Sequence, residues 1–445
     1  MKNTKRFFPL FKFYAKEQIE KYLEDKALGG WFLEKMEGFG WKFRKGEPKK
    51  LTFSVNYFAK ASSFDPAPSE DQEAYYELCS YSGWYLVTSN AQMQIFCTER
   101  NDATPIETDP VLEIQSIHRS VKRSFYPIWI LWIVLGLFQT GLSLLSLFGN
   151  TVDFLSGNPE LLKLILYPVV TAFYIKELVG YTVWHKKARR NAETFGSYTC
   201  AVGTNKASLT VILIFALFFM ISLVFSTLNI GNTPLVIFLM ISTIVEIVVL
   251  LAATLGVHKL LKKQKASKKT NLVLTIVTAS VLSVVLTTIT VILSDILFLT
   301  TDSIQKNLPE PPLCAGDIMT VDSENQQSSA FFDDSFFLSK YEYDETNMEV
   351  DRKSLSYTVI TVKAYPLYDV CVNDLLDDIN LFGYSGERYE KADAALFKAE
   401  DAYVLYDEDS PENEYILCYD KKIVKIRFSM KPTKEQMAAV GEAFN

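Results

Sequence analysis

The sequence predicts an α+β protein built around a membrane. It is expected to hold a duplicated βαββ cytosolic domain packed as a ferredoxin-like two-layer sandwich, a five-helix transmembrane region, and a small extracytoplasmic α+β domain. Three observations lead there. Five apolar stretches between residues 127 and 299 are each long enough to cross a bilayer. A helix–Gly–Trp pattern in the first 99 residues recurs at an offset of 53. Charge is also divided unevenly: residues 301–445 hold 29 acidic and 14 basic residues, a net of −15, against +8 for the rest of the chain.

Residues 1–100 form the first domain. Residues 1–99 hold 14 Lys/Arg and 13 Asp/Glu, so no basic surface points to nucleic acid. Aromatic side chains number 21 in that stretch, which suits a sheet packed beneath helices. Tyr22, Gly30 and Trp31 in the first copy correspond to Tyr75, Gly83 and Trp84 in the second. In each copy a helical stretch ends at glycine, a common helix terminator, and an aromatic strand follows at once. Helices are predicted at 15–28 and 69–81. Strands are predicted at 7–13, 31–37 and 41–45, then at 51–58, 84–89 and 92–98. The order βαββ repeated twice predicts one sheet with both helices on one face, and with Trp31 and Trp84 in equivalent buried places.

The Gly30-Trp31 pattern, the run from Phe43 through Lys45, Gly46, Glu47 and Pro48, and the second Gly83-Trp84 resemble a bacterial family known as domain of unknown function 2812. The resemblance covers about the first 100 residues. It implies a Gram-positive cytoplasmic-membrane protein encoded beside a PadR-type transcriptional regulator, with that regulator or its gene products as partners. It brings no catalytic residues.

Residues 101–126 read as an acidic linker. The apolar segments then fall at 127–148, 161–184, 208–228, 234–257 and 271–299. About 20 helical residues span the hydrocarbon core, so each qualifies. Basic residues decide the orientation. They cluster before the first segment, between the second and third, and between the fourth and fifth. With five crossings all three clusters share one side, which predicts a cytoplasmic N-terminus and an extracytoplasmic C-terminus.

Each cluster holds one of the three histidines in a shared pattern: His118, Arg119, Lys122 and Arg123; His185, Lys186, Arg189 and Arg190; His258, Lys259, Lys262 and Lys263. These positions lie along one side of a helix. They are expected at the inner face of the lipid bilayer, beside anionic headgroups. The favoured reading is a stop-transfer anchor that fixes topology; the alternative is a ring of imidazoles and cations that binds anionic lipid or senses pH. Within the segments, Lys176 and Glu246 lie at similar depth, and a mid-membrane charge favours pairing, so an intramembrane ion pair is expected. The competing arrangement has Lys176 reach toward the interface while Glu246 is protonated.

Residues 300–330 read as a polar stalk and 331–445 as the second α+β domain. Strands are predicted at 354–364, 395–406 and 414–428, with helices at 370–382 and 433–444. Thr433 and Gln436 are placed for a capping box. Cys371 and Cys418 are candidates for a disulfide on the oxidising side, although spacing cannot establish the connection. The acidic turn at 407–412 lacks the glycine and ligand alternation of a calcium loop and reads as a solvated hairpin.

No metalloprotease, nucleophile-elbow, phosphate-loop or dinucleotide pattern occurs in the sequence. The chain is therefore expected not to be an enzyme and to need no cofactor. Two domains joined by membrane helices suggest a sensor or a regulatory or scaffold partner. The alternative is an accessory subunit of a transporter or permease.

Overall fold

A computed structural model describes residues 4–37, 40–100, 102–201, 233–300, 309–318, 326–347, 352–377, 387–408 and 410–445, with isolated positions between 206 and 221. It divides into two compact units. The first comprises Met1–Gly136, Val169–Ala216 and Ile241–Leu293; the second comprises Leu137–Pro168, Leu217–Met240 and Ser294–Asn445.

In the first unit the duplication is visible strand by strand. The first copy is β1 (Thr4–Phe7), α1 (Lys16–Leu28), β2 (Trp31–Glu37) and β3 (Gly40–Lys45). The second is β4 (Thr52–Tyr57), α2 (Glu70–Tyr81), β5 (Tyr85–Asn90) and β6 (Met93–Thr98). Each copy places its third strand in the centre, giving the orders β1-β3-β2 and β4-β6-β5. The pairing slips between Leu33 and Lys35 in the first copy and between Leu86 and Thr88 in the second, the same place at the same offset. Such irregularities twist a strand locally, so both copies bend alike. Gly30 and Gly83 both adopt positive φ, +75° and +83°, which glycine alone tolerates freely.

The expected single sheet is replaced by two three-stranded sheets. Charge on α1 closes one edge of the second sheet. Carboxylate oxygens of Glu20 and Glu24 accept the backbone N–H groups of Val55 and Phe53, at 2.7 and 3.4 Å. They thereby occupy donors on the outer edge of β4 that a further strand would need. The first strand also begins earlier than 7–13, because Phe11 and Phe13 pack as single rings against Tyr22 and Tyr57. Trp31 and Trp84 are not equivalent. Trp84 is buried and donates its indole N–H to Thr104 O at 2.8 Å, whereas Trp31 is half-buried against Phe7.

The linker at 101–126 is largely helical. Asp109 caps α3 (Pro110–Ser124) by accepting from Val111 N at 2.8 Å, and Pro110 opens its first turn. Ile114, Ile117 and Val121 recur at helical spacing and are buried. Among the described residues the long helices that follow are α4 (Tyr126–Gly149), α6 (Asn158–Phe195), α7 (Thr233–Lys263) and α8 (Lys268–Thr300), with the short α5 (Thr151–Ser156) between the first two. Among the described residues three helices are long and apolar enough to cross a membrane, Tyr126–Gly149, Ile237–Lys263 and Lys268–Leu297. Of the five expected segments, the first, fourth and fifth are thus met among the described residues. The second expected segment became α6, which is less apolar and carries Lys163, Lys176 and Glu177. The third, 208–228, lies mostly outside the described residues.

The second unit contains the short helix α9 (Ala315–Ile318) and, among the described residues, an antiparallel sheet of seven strands. These are β7 (Gln326–Asp334), β8 (Leu338–Asn347), β9 (Arg352–Val362), β10 (Arg388–Lys391), β11 (Asp401–Asp407), β12 (Ser410–Tyr419) and β13 (Lys422–Phe428), ordered β10-β11-β12-β13-β9-β8-β7. Alternate side chains serve opposite faces. Leu417, Val424 and Ile426 pack with Val440 and Phe444 of α11 (Lys434–Phe444) on one face. Ile416, Cys418 and Ile423 pack with Cys371 and Leu375 of α10 (Tyr368–Asp377), and with Val152 and Phe154 of α5, on the other.

Several expectations change here. The segment 414–428 folds as parts of two strands, turning at Lys421, whose φ is +58°. Residues 395–397 belong to a 3-10 turn, so the expected strand begins only at Asp401. The presumed stalk contributes Leu313, Ala315 and Ile318 to the core, anchored where Tyr357 Oη donates to Leu313 O at 3.0 Å. Strand β7 also begins inside it. Cys371 and Cys418 are buried free thiols rather than a disulfide; burial pushes both up to about 11. The capping box of Thr433 and Gln436 forms as expected.

Candidate functional site: the seat of the N-terminal domain

The first unit gathers its buried charge where the N-terminal domain meets α3 and the second half of α6. The approach begins with α1. Its apolar positions Ile19, Leu23 and Ala27 point into the core, and the flanking positions carry Lys16 and Glu20. Lys16 forms an ion pair with Glu113 of α3 and lies 3.8 Å from Glu20. Burial pushes the Glu20 carboxyl up to about 7, against the lowering pull of Lys16 and the Val55 amide. A carboxyl in that range takes up or releases a proton near neutral pH.

Lys12 reaches α6 and pairs with Glu177 at 3.0 Å. One turn further on, Tyr181 is fully buried, with Tyr14 at 4.9 Å and Trp129 at 6.0 Å between ring centres. Its hydroxyl lies 3.1 Å from Nδ1 of His118. His118 stacks on His185, with ring centres 3.9 Å apart and planes 15° apart. Burial, followed by the nearby cations, holds both imidazoles below their ordinary range, His185 at about 4. They therefore stack as neutral rings at pH 7.

Of the three basic motifs, the structure brings two together, through His118 and His185. The third histidine is used elsewhere. His258 Nε2 is 3.0 Å from Ser63 O, and its ring meets Phe64 edge-on at 5.0 Å. Lys268 pairs with Asp65 at 3.4 Å, and buried Asn271 donates to Phe64 O at 3.3 Å. The loop between the two repeats is thus held at the α7–α8 turn. All three motifs lie in the unit that contains the N-terminal domain.

The expected pairing of Lys176 with Glu246 is not made. Glu246 instead accepts a hydrogen bond from Thr287 Oγ1 of α8 at 2.8 Å. Lys176 is exposed, and the ion pair on that turn belongs to its neighbour Glu177. A hydroxyl one helix away satisfies the carboxyl locally, where depth matching alone suggested a lysine.

Beside these groups is a cavity of about 350 Å³ lined by Lys12, Tyr14, Trp184, Lys187, Asn191 and Cys200, among others. Burial pushes the Cys200 thiol up to about 12, so it stays protonated. Lys12, Lys16, Glu20, Glu113 and Tyr181 were not expected to contribute. The available signal was Lys16 and Glu20 interleaved with Ile19 and Leu23 on one helix face.

Residues 15–129 match the family described as protein of unknown function (DUF2812). The matched region runs from α1 through α3 into the start of α4, so it supplies one wall of the seat while α6 lies beyond it. No curated protein and no solved structure matches the chain. The DUF2812 region therefore contains Lys16, Glu20, Glu113 and His118; Tyr181 and His185, which meet His118, lie outside it, as do both members of the Lys12–Glu177 pair.

Proposed function

We propose that this is a multi-pass protein of the cytoplasmic membrane with a regulatory role, in which an extracytoplasmic domain influences a cytosolic one. The observation that carries the reading is the use made of α6. Its first turns supply Leu161 and Leu164 to the core that contains α5 and α10. Its later turns supply Tyr174, Leu178 and Trp184 to the core of the N-terminal domain. One helix of 38 residues thus belongs to two cores. A displacement at one end of a packed helix is felt at the other, because close-packed interiors transmit strain.

Orientation follows from charge. The three basic motifs share a unit with the N-terminal domain, and basic flanks favour the cytoplasm. A reporter fused at Gln264 should read cytoplasmic and one after Asn445 external; the reverse pattern would overturn the orientation.

Coupling is tested at Asp374, whose carboxylate accepts the N–H groups of Thr151 and Val152 at 2.8 Å and so caps α5. In the full-length protein, Asp374→Ala should loosen α5 and also speed amide exchange in residues 174–192. Faster exchange confined to the C-terminal domain would contradict the reading.

A further inference from the structure

The cavity beside Lys12 and Lys187 is built from two parts of the chain. Lys12 and Tyr14 come from the segment that leads into α1. Trp184, Lys187 and Asn191 come from one face of α6, at the spacing of successive helical turns. Trp184 closes the apolar stretch of α6, and Lys186, Lys187, Arg189 and Arg190 follow it immediately. Tryptophan followed by lysine and arginine is the usual pattern at headgroup depth.

We propose that this cavity holds the phosphate headgroup of one anionic phospholipid from the inner leaflet. The charge balance fits a monoanion. Lys12 is already engaged by Glu177 at 3.0 Å, so those two cancel. Lys187 is exposed and adds one positive charge. The Asn191 side chain offers amide N–H donors at the same wall. The Trp184 indole N–H is spent on Thr199 O at 3.3 Å, which leaves its ring as an apolar wall for the glycerol carbons. The Cys200 thiol is neutral and does not repel the phosphate. A volume of about 350 Å³ accommodates a headgroup but leaves the acyl chains outside, in the bilayer. Lys187 and Asn191 of α6 and the wall formed by the chain leading into α1 would then enclose one headgroup, so the lipid would hold the N-terminal domain to its seat.

The inference rests on the reading above only in placing this end of α6 at the inner leaflet. The test uses the full-length protein in nanodiscs of phosphatidylcholine alone or mixed with phosphatidylglycerol. Phosphatidylglycerol should raise the unfolding midpoint by several degrees in the wild type. It should do the same in Lys263→Gln, which removes a cation at the end of α7. The rise should shrink to less than half in Lys187→Gln combined with Asn191→Ala. An undiminished rise in that double variant, or an equal loss in Lys263→Gln, would show diffuse surface charge and overturn the site. Glycerol 3-phosphate added to phosphatidylcholine nanodiscs should leave the midpoint unchanged; a rise equal to that from the lipid would overturn the membrane source. Native mass spectrometry of the wild type gives a readout independent of variant folding. One retained phosphatidylglycerol per chain supports the site, and none overturns it. Loss of the lipid with the Gln264 reporter still cytoplasmic would remove this site and leave the regulatory reading standing. An external Gln264 reporter would remove both.

Discussion

The two repeats of the N-terminal domain share their element order, strand order, irregular pairing and positive-φ glycine, yet they are used differently. In the first, α1 buries Ile19, Leu23 and Ala27 and carries the paired charges Lys16 and Glu20. In the second, α2 buries only Gln72 and Cys79, while Leu78 and Tyr81 are exposed. The same supersecondary unit thus serves once as a seat on α3 and α6 and once as a face turned outward. The helix side chains differ, and so does strand burial: β1 is largely exposed, whereas β4 is buried from Phe53 to Tyr57.

The largest effects should separate α1 from α2. Leu23→Ala opens space in a close-packed core and should cost about 2–5 kcal/mol. Leu78→Ala, at the exposed position on α2, should change stability by no more than about 0.5 kcal/mol. Chemical denaturation of the full-length protein measures both. Similar losses at the two positions would mean that α2 is covered and that the contrast is false.

The glycines sharpen the contrast at a smaller scale. A Cβ at Gly30 would meet Gly46 O at 2.7 Å, a backbone atom that cannot step aside. At Gly83 the nearest atom is Arg100 Cδ at 3.2 Å, on a flexible side chain. Both substitutions force a residue other than glycine into positive φ, at about 1–3 kcal/mol. Gly30→Ala should therefore cost clearly more than Gly83→Ala in thermal unfolding, and the reverse order would mean that the first repeat is the more yielding.

The smallest effect is in pH dependence. Glu20 has a folded pKa raised to about 7 by burial, so its contribution is fully present below the unfolded value, 4.5, and is lost as pH rises through about 7. Glu20→Gln removes the penalty of charging and should stabilise by about 1–2 kcal/mol at pH 8, flattening the profile between the unfolded value, 4.5, and about 7. The imidazoles of His118 and His185, with folded pKa values lowered from 6.5, weaken stability only as pH falls below that value. Glu73→Gln, at the exposed matching turn of α2, should leave the profile unchanged.

Much of this fold was legible in the sequence because it follows from local pattern. The helix–Gly–Trp repeat placed both βαββ units, and hydropathy placed α4, α7 and α8. The strands β7 and β8 were not anticipated, although Tyr341 and Tyr343 alternate to one buried face. The presumed stalk was misread because Leu313 and Ala315 stand among prolines, where the sequence shows flexibility before packing. The seat itself was the least legible part. Lys12 with Glu177 and Lys16 with Glu113 join positions far apart in the chain, and no spacing rule connects them. Matching Lys176 to Glu246 by depth failed for a related reason: depth ignores which helix face each residue occupies.

The central claim is that the first repeat, through α1 and the segment before it, is seated on α3 and α6, while α2 of the second repeat faces outward. Amide hydrogen exchange of the full-length protein tests it most directly. Residues 16–28 should exchange more slowly than 70–81, and Lys12→Ala with Glu177→Ala should speed exchange in 16–28 alone. Equal protection of the two helices, or equal acceleration in both, would contradict the account.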